Sequence, residues 1–119
     1  MANIKLEDDF IPETSHPGKF IGKEIEERGW SQVYFANILG INKSEVNNII
    51  HGRKNLTPRL ALRVSSAFGT SIDMWLNLQN MYDVGQIHKN KKEMEMIKKI
   101  RSFIDVYSRK SEREVVYAG

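Results

Sequence analysis

Between Lys43 and His51 the sequence KSEVNNIIH combines two kinds of residue in one short stretch. At helical spacing Val46, Ile49 and Ile50 fall together at i, i+3 and i+4. That leaves Lys43, Ser44, Asn47, Asn48 and His51 pointing away from them. These are short or medium polar groups that can donate and accept hydrogen bonds at a base edge. Asparagine can bond adenine in a bidentate way, and lysine can bond guanine O6 and N7. A helix face that met only water would more usually carry Glu and Lys at i, i+4 spacing. Asparagine is a poor helix former, so two adjacent ones lower local stability and call for a functional reason. The chemistry they suit is nucleic-acid recognition.

The flanks carry groups suited to phosphate. Ser31, Gln32 and the free N–H groups of a helix start can hold one phosphate. Arg53, Lys54 and Asn55 lie just past the polar helix, placed for flanking phosphates. His51 can touch a phosphate or simply close the helix end. Glu45 faces outward as well, and should repel phosphate unless it reads cytosine or pairs with a basic neighbour. The chain has a net charge of only +3, but that charge is unevenly spread. Residues 1–30 hold four basic and seven acidic side chains, whereas residues 31–68 hold Lys43, Arg53, Lys54, Arg59 and Arg63 against Glu45 alone. A locally cationic block suits a polyanionic partner.

Helix punctuation predicts the elements that position these groups. A first helix begins at His16–Pro17–Gly18, with Pro17 in the first turn, carries Phe20, Ile21 and Ile25 inward, and ends at Gly29. Ser31 is an N-cap for a second helix, with Trp30 and Phe35 placed as a hydrophobic staple and Val33, Ala36 and Leu39 as its inward stripe. A third helix starts near Asn42 or Lys43 and closes at Gly52. Thr57–Pro58 opens a fourth, through Leu60, Leu62, Val64 and Ala67 to Gly69. Thr70 or Ser71 caps a fifth, carrying Met74, Trp75, Leu78 and Met81. No alternating β-branched run or hairpin dipeptide is present, so the expected fold is all-α. The second and third helices, joined by a short turn at Gly40, form a helix-turn-helix. Ala36 lets them cross closely, Gly40 turns the chain, and Val46 plugs the crossing.

Beyond Asp83 the sequence VGQIHKNKK reads as a linker over residues 84–90. A sixth, amphipathic helix is expected over residues 91–109, and residues 1–15 and 110–119 are expected to be mobile. Met96, Ile97, Ile100, Phe103, Ile104 and Tyr107 form a broad stripe with nothing in its own segment to bury against. Trp75, Leu78, Met81, Ile97, Ile100, Phe103, Ile104 and Tyr107 are therefore the candidates for dimer or partner contact, although Trp75 also fits the core. One short helix reads few base pairs, so a homodimer on a palindromic operator is expected.

Other functions find little support. The chain has no cysteine, which excludes disulfides and thiolate metal sites and leans towards a cytoplasmic setting. The acidic N-terminus lacks a long apolar run, so neither signal peptide nor membrane span is expected. His16, His51 and His88 are scattered singly, and there is no glycine-rich phosphate loop or paired-histidine zinc motif. No catalytic residue, metal or cofactor is expected.

The segment from Gln32 to His51 resembles the helix-turn-helix of the Cro/C1 repressor (Xre) family. Over residues 16–83 the motifs HPG, GRKNLTPRLALR and FGTSIDMWLNLQNMYD look like those of HigA or VapI-type antitoxins. The resemblance implies a five-helix, lambda repressor-like domain that dimerises, binds a palindrome in its own promoter, and neutralises an mRNA-cleaving HigB-type toxin. It puts base reading on Lys43, Ser44, Asn47 and Asn48, and phosphate positioning on Gln32, Asn42, Arg53 and Lys54. A stand-alone repressor without a toxin, or an interaction module using the helix-turn-helix as a scaffold, are the alternative readings. The segment after Asp83 exceeds the plain family body.

Overall fold

The computed structural model describes residues 15–118, with side chains through Ser108. All regular structure among them is helical: α1 (Pro17–Glu27), α2 (Gln32–Leu39), α3 (Lys43–Ile50), α4 (Pro58–Phe68), α5 (Ile72–His88) and α6 (Lys91–Ala118). The chain divides into two units, the first ending at Gly85 and the second starting at Gln86.

Each helix start has a side-chain acceptor for its unpaired amides. His16 Nδ1 accepts from Gly18 N at 2.9 Å, and Ser31 Oγ from Tyr34 N at 3.0 Å. Asn42 Oδ1 accepts from Glu45 N at 2.8 Å, and Thr57 Oγ1 from Leu60 N at 3.3 Å. Ser71 Oγ accepts from Asp73 N at 3.1 Å, and Asn90 Oδ1 from Glu93 N at 2.9 Å. The helix starts thus fall where small polar residues precede apolar periodicity.

The core of the first unit is a stack of rings surrounded by aliphatics. Phe35 and Phe68 lie nearly parallel, with centroids 5.2 Å apart. Trp30 stacks on both, at 6.2 and 6.0 Å, so the staple forms and extends to α4. Trp75 adds to the stack at 5.8 Å from Phe68, while its indole N–H donates to Thr70 Oγ1 at 2.8 Å. Ile21, Ile25, Val46, Ile49, Leu56, Leu60 and Val64 fill the rest. Buried Gln79 is satisfied at both ends: it accepts from Leu56 N at 2.7 Å and donates to Asp83 at 2.9 Å.

Several expectations need correction. Trp75 is only 3 % exposed, so it belongs to its own core and not to a partner contact. Val33 and Leu62 are 52 % and 55 % exposed, because Phe35, Ala36 and Leu39 on α2, and Leu60, Ala61 and Val64 on α4, already occupy the inward arc. Phe20 is likewise exposed. The stretch 84–90 holds the boundary between the two units but is helical as far as His88 rather than irregular. A lone Gly85 costs a helix about 1 kcal/mol, too little to break one that has no proline. The sixth helix, expected to stop at Arg109, has a helical backbone to Ala118, as no glycine or proline stands before that point to end it. The expectation for residues 1–14 lies outside the described residues. In the second unit Met96, Ile100, Phe103, Ile104 and Tyr107 are exposed and Ile97 is half-buried.

One close approach fixes how α1 meets α3. A Cβ on Gly18 would lie 1.7 Å from the Ile49 carbonyl oxygen and 2.6 Å from its carbon, both backbone atoms. At Gly22, one turn further, a Cβ would meet only the Ile50 side chain, at 3.2 Å. Gly18→Ala should therefore destabilise the fold by about 3 kcal/mol or more in urea unfolding. Gly22→Ala gains helix propensity against a movable side chain and should stay within about 1 kcal/mol of wild type.

Candidate nucleic-acid interface

The site is built on the α2–α3 joint. Gly40 adopts φ 72° and ψ 31°, the left-handed conformation that a β-carbon disfavours by about 1–2 kcal/mol. Ile41 N donates to Ala36 O at 3.0 Å and Gly40 N to Asn37 O at 3.3 Å, closing α2 in a Schellman arrangement. Arg63 reaches across from α4 and donates to Leu39 O at 3.0 Å, placing a cation at the negative end of α2. Ala36 and Val46 are buried at the crossing, and Ile41 is partly buried beside them.

With Val46 and Ile49 buried, α3 turns its polar side outward. Lys43 and Ser44 are exposed at its first turn; Asn47 and Asn48 are half-buried further along. Asn47 is held at both ends: its amide N–H donates to Gln32 Oε1 at 3.2 Å, and its Oδ1 accepts from Arg53 Nη2 at 2.8 Å. Arg53 Nε also donates to Asn48 Oδ1 at 3.0 Å. The result is a continuous row, Gln32–Asn47–Arg53–Asn48, spanning the first residue of α2, the face of α3 and the loop beyond it.

This row is oriented in advance without being used up. A carboxamide has two N–H donors and two acceptor lone pairs, so Asn47 keeps one of each. Of the five N–H donors of a guanidinium, Arg53 uses two, leaving three for an anion. His51 Nδ1 lies 2.9 Å from Asn47 O, so the ring closes the end of α3. Ser31 and Asn42 already use a side-chain oxygen as caps, which leaves the Ser31 hydroxyl proton and the Asn42 amide N–H for a ligand. Asn55 is exposed in the loop. Lys54 forms an ion pair with Glu45, so the acid that would repel phosphate is neutralised by a neighbour. Sequence reasoning allowed for that pairing without identifying Lys54 as the partner. It counted Arg63 only within the cationic block and missed its bond to Leu39, 24 residues away, which leaves no local signal. Among the described residues no group of His, Asp and Glu is placed to hold a metal ion, and no helix is long and apolar enough to cross a membrane.

The helix-turn-helix family HTH_3 matches residues 21–75, which contain α2, α3, α4 and the start of α5. Virulence-associated protein I of Dichelobacter nodosus is 30 % identical over 83 residues, covering 69 % of this chain and 77 % of that protein. The chain belongs to the Xre-type helix-turn-helix family, among the HigA/VapI-type proteins. An addiction module antidote protein of the HigA family from Coxiella burnetii superposes with a TM-score of 0.63 and 32 % identity, over 73 % of this chain and 95 % of that one. The Pseudomonas aeruginosa antitoxin HigA, solved with the higBA promoter, gives a TM-score of 0.65 and 28 % identity over 71 % and 94 %. The fold is thus the DNA-binding helix-turn-helix of Xre-type antitoxins.

The Lys54–Glu45 pair gives a test of the local electrostatics. Glu45→Gln removes an anion and releases a cation on the same surface. Binding to any duplex should strengthen, and the slope of log affinity against log salt should steepen by about one. Fluorescence anisotropy across a salt series measures both.

Proposed function

We propose that this chain is the dimeric antitoxin and autorepressor of a type II toxin–antitoxin operon, acting in the cytoplasm on a palindromic operator and neutralising an mRNA-cleaving, HigB-type toxin. The observation that carries the reading is the Gln32–Asn47–Arg53–Asn48 row, which aims two carboxamides outward from α3 and anchors them with a cation. In this reading Lys43, Ser44, Asn47 and Asn48 meet base edges. Gln32, Arg53 and Asn55 meet phosphates, with Ser31, Asn42 and His51 at the helix ends beside them. Lys54 joins them only when it leaves Glu45.

The helix-turn-helix supplies the DNA half of the function, and the apolar stripe of α6 supports a protein-binding half. Leu78, Met81, Ile97, Ile100, Phe103, Ile104 and Tyr107 are the residues assigned to dimer or toxin contact. A stand-alone repressor would have the same DNA chemistry, but it would leave that stripe with only a second copy to cover it.

The test is binding to the chain's own promoter. With four phosphates neutralised, a fourfold rise in salt should weaken the complex by roughly a hundredfold. Changing Asn47 and Asn48 together to alanine should cost about 1–3 kcal/mol per lost base contact and flatten the preference for the operator over random duplex. An unaltered preference would instead leave the helix-turn-helix as a scaffold. Co-expression with the adjacent gene product should yield a co-purifying complex, and its failure to do so would favour the stand-alone repressor.

A further inference from the structure

His16 stands apart from the interface in sequence but not in space. It is buried at 7 % exposure and serves as the N-cap of α1 through Nδ1. Because a backbone N–H can only donate, Nδ1 carries no proton, and the neutral ring holds its proton on Nε2. That nitrogen is buried and makes no hydrogen bond. Tyr82 of α5 packs edge-on against the ring, with centroids 4.9 Å apart. On another side Gly52 comes near: a Cβ built on it would reach van der Waals contact with His16 Cβ and Cγ, at 3.6 Å. Gly52 is bonded directly to Arg53, which holds both Asn47 and Asn48.

We propose that His16 is a positioning residue for DNA binding: its neutral ring sets the path of the Gly52–Lys54 loop, and its protonation displaces that loop and weakens the complex. The inference rests on the DNA-binding reading above. Protonation would place an N–H on Nδ1 facing the Gly18 N–H, two donors with no acceptor between them. The ring must then turn, and the neighbouring loop, from Gly52 to the Lys54 backbone, must readjust to the new donor. The titratable groups that face it are Tyr82 and Asp83 from α5; past α3 it is the backbone of Lys54 that lies near, while the Lys54 ammonium is paired with Glu45.

The electrostatics agree with this geometry. Burial lowers the His16 pKa below its ordinary value of 6.5, with Asp83 and the Lys54 backbone pulling weakly the other way. The folded state therefore favours the neutral ring. The stability this gives is fully present above pH 6.5, and it is lost progressively as the pH falls below that value towards the lowered pKa.

The test compares wild type with His16→Asn, which keeps a good N-cap acceptor for Gly18 N but does not titrate. Anisotropy on the promoter duplex is run from pH 7.5 to 5.0 at fixed ionic strength. Both proteins retain His51 and His88, so the difference between them isolates His16. Wild-type affinity should fall by about threefold or more relative to His16→Asn across that range. In parallel, proton–nitrogen spectra of the free wild-type protein should show the Gly18, Gly52 and Arg53 amides shifting together with a midpoint below 6.5. Identical pH profiles for the two proteins would overturn the proposal. So would Gly52 and Arg53 amides that stay still while the ring titrates. If no duplex is bound at any pH, the DNA-binding reading fails on its own, and the amide titration still decides whether His16 controls the loop.

Discussion

The direction in which α3 leaves α2 depends on a single residue at positive φ. Gly40 lets the backbone double back within the space between Leu39 and Asn42, and both capping bonds require that geometry. A Cβ there would find only Arg63 Nη1, at 3.7 Å, so the constraint is conformational and not one of space. Once the turn is made, Val46 and Ile49 must face the core and the polar residues of α3 must face out. Arg63 reinforces the turn from a third helix by bonding the Leu39 carbonyl that α2 leaves without an intrahelical partner. The polar face is thus a consequence of packing, aimed by the joint and held by the aromatic stack behind it.

A face aimed by packing still has to be ordered, because a flexible side chain loses rotamer entropy when it binds. Arg53 does much of that ordering here. It fixes two carboxamides whose oxygen and nitrogen ends would otherwise be free to exchange, and Gln32 fixes the opposite end of one of them. The loop that carries Arg53 is therefore ordered together with the polar face of α3 and is not merely a cationic flank. Gly52 of that loop comes near His16, which starts α1, while Gly18 two residues later brings α1 onto the backbone of α3. The HPG motif and the GRKN motif, 34 residues apart in sequence from Gly18 to Gly52, meet at one place.

Much of this was legible in the sequence because it is local. The caps at Ser31, Asn42 and Thr57 lie within three residues of the amides they satisfy, and the Trp30–Phe35 staple spans little more than a turn. Periodicity placed Val46 and Ile49 correctly for the same reason. What it could not place were choices that depend on the neighbours. Val33 and Phe35 compete for one buried arc, and the larger ring wins by joining Phe68. Trp75 could have served either a partner or the core until Thr70 and Phe68 were seen to hold it. The apparent linker after Asp83 is polar enough to look irregular, yet α5 runs on through Gly85 and stops only at His88. Arg63 on Leu39 and Gln32 on Asn47 are side-chain pairings across helices, invisible to any short window.

The shortness of α3 explains why the rest of the chain matters to recognition. Eight residues make a helix about 12 Å long, which spans roughly four base pairs. Two or three contacts at about 1–3 kcal/mol each cannot distinguish one site from the many competing sites of a genome. A second copy on a twofold axis multiplies the discrimination, but only if the two α3 helices are held at the groove spacing of about 34 Å. That requirement moves the burden from α3 to whatever joins the copies. In α6, Met96 and Phe103 widen the line of Ile97, Ile100, Ile104 and Tyr107 to about three positions in seven, broader than a two-stranded seam. A stripe of that width is suited to packing on a protein surface or into a bundle of several helices. Under the proposed function a second copy and a toxin compete for that stripe, since a surface covered by one partner is closed to the other.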